Sequence, residues 1–129
     1  MTPLSRQAIL EKAARLLEDR FEVNSGNLTR EMGKPLAEAK IEMQVAIDLL
    51  RWYGEEGKRI YGRIIPSRFL GMQHEARKVP VGPALAFVAW NFPATNVMRK
   101  VAGALAAGCS ITIKPSEETP ATAIAIGAA

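Results

Sequence analysis

A short polar segment, Trp90–Pro93, carries the residues of this sequence that are best suited to chemistry. It follows Ala84–Ala89, a continuous apolar run typical of a strand that is buried on both faces of a parallel sheet. In open α/β sheets, ligands bind beyond the carboxyl ends of such strands. The amide of Asn91 could there donate to a developing oxyanion, and Trp90 could form a flat wall for a cofactor. A turn in which Asn91 bonds its own backbone explains the segment equally well.

A second polar segment, Lys114–Glu117, follows the next short apolar strand, Ile111–Ile113. Because ligand-binding loops of a parallel sheet gather at one edge, the two polar segments should lie side by side. Lysine and glutamate at that edge can hydrogen-bond ribose hydroxyls, and the carboxylate of Glu117 would repel a 2′-phosphate. The alternative, favoured when the segment is taken alone, is a solvated loop that leads into a helix with acidic residues in its first turn.

Helical periodicity dominates the chain up to residue 62, ahead of these strands. Glycine and two asparagines predict a break at residues 23–27, since each weakens a helix interior. The predicted helices are a first one that starts at Thr2-Pro3, a short one over Leu28–Met32 and a long one over residues 35–60.

The remaining elements predict an α/β protein. Residues 63–79 read as a short edge hairpin, with strands at Ile64-Ile65 and Gln73–Val79. Residues 80–129 alternate strand and helix, which predicts the first βαβ unit of an incomplete, parallel Rossmann-like sheet. The predicted organisation is an N-terminal helical segment (1–62), a hairpin of oligomerisation type (63–79) and a truncated start of a dinucleotide-binding domain (80–129).

Composition excludes several classes of function. A single cysteine and a single histidine exclude an intrachain disulfide and a cysteine- or histidine-rich metal site. No apolar stretch is long enough to span a membrane and no signal core is present, so a cytoplasmic location is expected. Residues 57–129 hold 9 of the 17 basic but only 3 of the 13 acidic residues. A small anionic ligand explains this imbalance better than nucleic acid, because the basic residues form no run.

Several motifs, in the same order and spacing, resemble the aldehyde dehydrogenase superfamily and in particular its succinate-semialdehyde dehydrogenases. The resemblance covers nearly the whole chain, so a chance match is excluded in practice. The motifs are Thr29–Leu36, Trp52-Tyr53, Pro80–Pro83, Trp90–Pro93, Met98-Arg99-Lys100, Ala106–Cys109 and Lys114–Pro120.

The resemblance implies roles for the residues at the predicted sheet edge. Asn91 matches the asparagine whose amide helps to form the oxyanion hole. Phe87 and Trp90 match positions that line the cofactor cleft, and Lys114 and Glu117 match the pair that holds the adenosine ribose. NAD is therefore the expected cofactor, with NADP as the alternative.

The resemblance also addresses the substrate and the missing chemistry. Arg99 is similar to the arginine that contacts the substrate carboxylate in succinate-semialdehyde dehydrogenases; a solvated helix residue is the alternative. The family's cysteine nucleophile and general-base glutamate are expected beyond residue 129. Cys109 reads as a small buried thiol, and His74 is assigned no role.

The sequence thus predicts the N-terminal fragment of an NAD(P)-dependent aldehyde dehydrogenase that oxidises an aldehyde, such as succinate semialdehyde, to the acid. The isolated chain is expected to be inactive. Its expected partners are a small aldehyde and, in the complete enzyme, further copies of the subunit, with neither nucleic acid nor membrane. The alternative is a non-catalytic remnant or interaction module that associates with full-length subunits, because exposed strand edges at 63–79 invite pairing.

Overall fold

The computed structural model describes residues 1–129, as five α-helices and four short strands. Three helices come first: α1 (Pro3–Asp19), α2 (Phe21–Met32) and α3 (Leu36–Glu56), the last continued by a 3₁₀ turn at Gly57–Arg59. The later elements are β1 (Arg63–Pro66), β2 (Gln73–Ala76), β3 (Ala84–Phe87), α4 (Pro93–Ala107), β4 (Ile111–Lys114) and α5 (Pro120–Gly127). The order confirms the predicted α/β class.

Helix α3 lies at the centre and packs against α1, α2 and α4. Its apolar stripe, which includes Met43, Ile47 and Leu50, is buried together with Leu10 and Leu17 of α1. Burial of each large apolar side chain contributes about 1.5–3 kcal/mol, so this stripe holds the helical layer together. At the start of α1, Ser5 N donates to the Thr2 hydroxyl at 3.1 Å, so Thr2 caps the helix, which begins where the sequence predicts.

The predicted break at residues 23–27 is wrong. Helix α2 runs without interruption from Phe21 to Met32, and the chain leaves α1 one turn earlier, at Arg20. The side chains of Asn24 and Ser25 are buried, where α2 packs against α3 and α5. Tertiary packing therefore overrides a propensity penalty of about 1 kcal/mol per glycine.

The hairpin of β1 and β2 is antiparallel, with Ile64 opposite Glu75 and Ile65 opposite His74. Strand β2 ends at Ala76, three residues before the predicted end at Val79. All residues of both strands are exposed. The hairpin therefore stands away from the helical core of this chain.

Strands β3 and β4 pair in parallel, with Ala84 opposite Ile111 and Phe87 opposite Lys114. The predicted burial of β3 on both faces is wrong within this chain, because Leu85 and Phe87 are 63% and 71% exposed. A parallel sheet is buried only when helices cover both faces. No helix of residues 1–129 covers the face that carries these two side chains.

Helix α4 connects the paired strands and begins at Pro93. It ends at Gly108, whose φ of 88° is the left-handed conformation that favours glycine at a helix end. None of the five helices combines the length and the apolarity needed to cross a membrane.

Candidate active site

The two polar segments lie at one edge of the β3–β4 sheet. Phe87 and Lys114, the last residues of the two strands, are paired, and Val88 N donates to Lys114 O at 3.1 Å. The segments that follow, 88–92 and 115–119, therefore leave the sheet next to each other. This parallel register brings together the residues that sequence analysis assigned to the oxyanion and to the ribose.

Asn91 lies in the turn between β3 and α4, with its side chain exposed. Its Oδ1 accepts a hydrogen bond from Nδ2 of Asn96 at 3.3 Å, and its backbone carbonyl accepts from Nζ of Lys34 at 3.5 Å. The Nδ2 group of Asn91 donates to no atom of the chain. The structure thus orients this amide with its oxygen toward α4 and leaves both N–H bonds available to an acceptor.

A buried ion pair between Lys34 and Glu42 packs against this turn. Glu42 is 4% exposed and Lys34 is 7% exposed, and the ammonium donates to Oε2 of the carboxylate. Lys34 also lies over the ring of Phe92, with Nζ 4.0 Å from the ring centroid. Because buried charges cost several kcal/mol unless they are paired, this arrangement holds Lys34 against the turn.

The other carboxylate oxygen of Glu42 holds the first turn of α4. Its Oε1 accepts hydrogen bonds from the backbone N–H groups of Ala94 at 2.9 Å and Thr95 at 3.2 Å. These groups have no partner within their own helix, since the first N–H groups of any helix lack one. Phe92, at the N-cap position, provides no side-chain acceptor, so the cap comes from α3 instead.

Sequence analysis missed Glu42, Asn96 and the role of Lys34. Lys34 appeared there only as part of a motif, and Glu42 lies on a helix face that the apolar stripe predicts to be buried. A signal was present: α4 has proline at its first position, and the residue immediately before it is Phe92, not a serine, threonine, aspartate or asparagine. An uncapped helix start predicts an acceptor from elsewhere in the chain, although it does not identify the residue.

A cleft of about 400 Å³ opens beside this turn, between α3 and α4. Its lining includes Phe92 from the turn, Asn96 and Arg99 from α4, and Ile41 and Val45 from α3. Arg99 is exposed and forms no hydrogen bond or ion pair within the chain. The cleft thus joins apolar walls to an unpaired guanidinium, which is suited to bidentate binding of a carboxylate.

Two acidic side chains, Glu38 and Glu42, also line that cleft. Glu42 is paired with Lys34, so the field of Glu38 is the one that opposes part of the attraction of Arg99 for an anion. A larger cleft of about 610 Å³ lies among α1, α4 and α5, and 14 of its 17 lining residues are hydrophobic. Its lining contains none of the candidate residues Asn91, Arg99 and Glu117. We therefore assign the candidate substrate site to the cleft between α3 and α4.

The second segment forms a shallow cleft of about 400 Å³ at the end of β4. Nζ of Lys114 and Oε1 of Glu117 are 3.0 Å apart, and their side chains are 50% and 88% exposed. The adjacent Phe87 is also exposed, and so is Trp90 in the neighbouring turn. A lysine donor beside a carboxylate acceptor matches the needs of a sugar with vicinal hydroxyls, so these residues fit the ribose of a dinucleotide.

A second carboxylate, Glu31 of α2, holds the helix that follows this segment. Its two oxygens accept from the backbone N–H groups of Ala121 at 2.8 Å and Thr122 at 2.9 Å, in the first turn of α5. Thr119 occupies the N-cap position of α5 and makes no side-chain cap. Sequence analysis also missed this contact.

The single cysteine and histidine lie apart from this edge. Cys109 is 8% exposed and follows the C-terminal end of α4, at the opposite end of the βαβ unit from Asn91. His74 is exposed on β2. No three histidine, cysteine, aspartate or glutamate side chains of the chain are placed to hold a metal ion.

Comparison with known proteins gives consistent matches along the whole chain. The sequence model of the aldehyde dehydrogenase family matches residues 1–129. The chain is 49% identical over 121 residues to the 4-(hydroxymethyl)benzenesulfonate dehydrogenase TsaD1 of Comamonas testosteroni, covering 94% of this chain and 25% of that protein. It is 40% identical over 126 residues to the NADP⁺ succinate-semialdehyde dehydrogenase GabD of Escherichia coli, covering 98% of this chain and 26% of that protein.

The fold comparison agrees. The crystal structure of succinate-semialdehyde dehydrogenase from Burkholderia pseudomallei superposes with a TM-score of 0.97 at 42% identity, covering 98% of this chain and 26% of that one. The chain therefore spans about a quarter of the length of the relatives that it matches.

Proposed function

Because this chain belongs to the aldehyde dehydrogenase family, we propose that it forms the N-terminal part of an enzyme that oxidises an aldehyde to the carboxylic acid with NAD or NADP. The proposed substrate is succinate semialdehyde. The observation that carries the proposal is the unpartnered amide N–H pair of Asn91 at the carboxyl end of β3, beside the cleft that contains Arg99. An oxyanion donor and a guanidinium together suit a substrate with an aldehyde at one end and a carboxylate at the other.

In the proposed reaction, a cysteine thiolate from outside residues 1–129 forms a bond to the aldehyde carbon, and the carbonyl π electrons move to oxygen. Nδ2 of Asn91 donates a hydrogen bond to that oxyanion, and Asn96 keeps Nδ2 in place by holding Oδ1. A nicotinamide dinucleotide held by Lys114 and Glu117 would supply the acceptor for the hydride at this carbon, and water would then displace the thiolate to give the acid. The buried position of Cys109 supports a nucleophile from outside this chain.

The proposed anionic substrate agrees with the chemistry named for the relatives. One is named for a sulfonate, 4-(hydroxymethyl)benzenesulfonate, and the other for succinate semialdehyde, which carries a carboxylate. Arg99 has no intrachain partner, so its full set of N–H donors is available to such a group. The apolar side chains of Ile41 and Val45 in the same cleft suit the carbon chain between the two ends.

For the cofactor, we propose that Lys114 and Glu117 hold the adenosine ribose, with Phe87 lining the same cleft and Trp90 exposed in the neighbouring turn. The exposed carboxylate of Glu117 disfavours a 2′-phosphate, so NAD is the preferred cofactor and NADP binds more weakly. Calorimetric titration of the chain with each dinucleotide measures this preference. Glu117→Gln should narrow the difference between the two Kd values, and a wider difference would contradict the assignment.

The central experiment uses a chimera in which this chain replaces the matching segment of the Burkholderia enzyme. The chimera should reduce cofactor in the presence of succinate semialdehyde, whereas the isolated 129-residue chain should not. In the chimera, Asn91→Ala should lower kcat about 10²- to 10³-fold, because it removes one oxyanion donor. Asn27→Ala, which removes an amide from α2, is the matched control and should leave kcat unchanged.

Two results would overturn the proposed function. One is a folded chimera that binds cofactor but oxidises no aldehyde. The other is an Asn91→Ala variant with the kcat of the parent chimera. Turnover by the isolated chain would instead overturn the assignment of the nucleophile to the region outside residues 1–129.

A second candidate function rests on the β1–β2 hairpin. Its exposed side chains include Ile64 at 71%, Phe69 at 55% and Leu70 at 106% of their full accessible area. We propose that this apolar surface pairs with another subunit of the family, so that the chain acts as an interaction module. Sedimentation of the chain with and without the Burkholderia enzyme tests this proposal; Leu70→Asp should abolish co-sedimentation, and co-sedimentation that survives the substitution would contradict it.

A further inference from the structure

The two helices that follow the site segments begin with the same three residues. Pro93–Thr95 opens α4 and Pro120–Thr122 opens α5, each with the sequence Pro-Ala-Thr. Proline at the first helical position has no N–H, so the next two N–H groups are the ones that need an acceptor. Neither helix receives that acceptor from its own N-cap side chain.

In both helices the acceptor is a glutamate from another element. Glu42 of α3 accepts from Ala94 and Thr95, at 2.9 and 3.2 Å. Glu31 of α2 accepts from the equivalent N–H groups of α5, at 2.8 and 2.9 Å. A carboxylate at a helix N-terminus gains from charge-assisted hydrogen bonds and from the helix dipole, so each contact fixes the place where its helix begins.

Fixing a helix start also fixes the segment that enters it. Asn91 lies two residues before Pro93, and Glu117 lies three residues before Pro120. With the strand ends already paired in the sheet, each segment is then held at both of its ends. Its remaining conformational freedom is confined to a few residues.

Both glutamates belong to one corner of the fold. The α2–α3 connection between them contains Gly33, whose φ is 80°, and Lys34, which pairs with Glu42 and donates to the backbone carbonyl of Asn91. The corner thus holds the helix start after the oxyanion turn through one glutamate and the helix start after the ribose segment through the other.

We propose that Glu42 and Glu31 are positioning residues, Glu42 for the oxyanion donor Asn91 and Glu31 for the ribose-binding segment Lys114–Glu117. The inference rests on the proposed function for its kinetic consequences, whereas the positioning itself belongs to the folded chain. It assigns different effects to two glutamates that occupy equivalent positions. Loss of Glu42 should impair the chemical step, and loss of Glu31 should impair cofactor binding.

The variants must avoid an unpaired buried charge. Lys34→Met with Glu42→Leu removes the cap and the ion pair together, and Lys34→Met with Glu42→Gln restores an acceptor without the charge. Glu31→Leu and Glu31→Gln form the corresponding pair at the other helix. Glu22→Ala is the control, because Glu22 is an exposed glutamate of α2 that pairs only with Lys40.

The first readout is amide hydrogen exchange of the 129-residue chain, followed by NMR. Lys34→Met with Glu42→Leu should lower the protection of residues 91–96 about tenfold and leave that of residues 117–122 unchanged. Glu31→Leu should lower the protection of residues 117–122 and leave that of residues 91–96 unchanged. Each Gln variant should restore protection to within about threefold of the parent chain. Equal loss at both segments, or no rescue by glutamine, would overturn the proposal.

The second readout is the kinetics of the chimera. Lys34→Met with Glu42→Leu should lower kcat about 10- to 100-fold and keep the cofactor KM within about twofold of the parent value. Glu31→Leu should raise the cofactor KM about tenfold and keep kcat within about twofold of the parent value. The same parameter changing in both variants would overturn the proposal. An inactive parent chimera would refute the proposed function instead, and the exchange data would still decide whether the two glutamates hold their segments.

Discussion

Nδ2 of Asn96 donates to Oδ1 of Asn91 across 3.3 Å, which leaves the NH2 group of the amide proposed to bind the oxyanion without a partner in the chain. The two residues lie five positions apart, one in the turn and one in the first turns of α4. An amide can rotate so that either its oxygen or its NH2 group faces the site. In the structure, the amide oxygen faces Asn96 and the NH2 group is free.

Asn96→Asp should therefore reverse the amide of Asn91, because a carboxylate at position 96 accepts hydrogen bonds and donates none. We expect kcat of the chimera to fall about tenfold, with a smaller fall for Asn96→Ala, which removes the contact without attracting the NH2 group. Steady-state kinetics with saturating cofactor measures both. An alanine variant that is more impaired than the aspartate variant would contradict this orientation.

Arg99→Leu should weaken the binding of a substrate that carries a carboxylate. A hydrogen-bonded charge pair contributes about 1.5–3 kcal/mol, so KM for succinate semialdehyde should rise at least about tenfold. Butanal, which has the same number of carbons and no carboxylate, is the matched control, and its KM should not rise. Arg99→Lys should recover only part of the affinity, because an ammonium lacks the planar fork of the guanidinium.

Breaking the buried pair of Lys34 and Glu42 should destabilise the chain strongly. Glu42→Ala leaves the ammonium of Lys34 buried without its partner, which costs about 3–5 kcal/mol in the free energy of unfolding. Urea denaturation followed by circular dichroism measures this quantity. Lys34→Met combined with Glu42→Leu should restore most of the stability, since neither charge remains. A double variant as unstable as the single one would show that packing, and not the unpaired charge, dominates.

Stability should also depend on pH through the contact between α1 and α3. The hydrogen bond from Arg51 to Glu18, and then the charge of Arg51, lower the pKa of Glu18 below its usual value of 4.5. A lowered carboxyl pKa stabilises the fold above pH 4.5, and that stabilisation is lost as the pH falls through the pKa of the folded state.

Because both side chains are more than a third exposed, solvent screens the pair, and the contribution should stay below about 1 kcal/mol. Glu18→Gln should reduce the slope of unfolding free energy against pH below pH 4.5, and Arg51→Gln should have the same effect. Thermal unfolding between pH 3 and pH 7 measures this slope, because that range includes the ordinary pKa of a carboxyl group, about 4. A slope unchanged by either substitution would contradict the assigned cause.

The local pattern predicted most elements of this fold. Continuous apolar runs predicted β3 and β4, and the apolar stripe predicted α3 to within a few residues. The predicted break at residues 23–27 failed for a reason that lies outside the local sequence. The helix through Asn24–Gly26 persists, although its residues disfavour helix, because α2 packs against α3 and α5. Packing free energy comes from residues distant in sequence, and no local window contains it.

The candidate site divides in the same way. The types and the order of Asn91, Arg99, Lys114 and Glu117 follow from the sequence, as does their placement after two strands of a parallel unit. The residues that hold them do not. Glu42 lies 49 positions before Asn91 and Glu31 lies 86 positions before Glu117 along the numbered sequence, and in the sequence each is only one more helical glutamate.

The sequence by itself thus determined the elements, their order and the groups available for chemistry, because periodicity, capping residues and side-chain type act over a few neighbouring positions. Only the tertiary structure decided which way the amide of Asn91 faces and which carboxylates close the starts of α4 and α5. The physical reason is that a helix start without a local cap must find its acceptor through space. The partner is then set by how α2 and α3 pack, and not by any spacing along the chain.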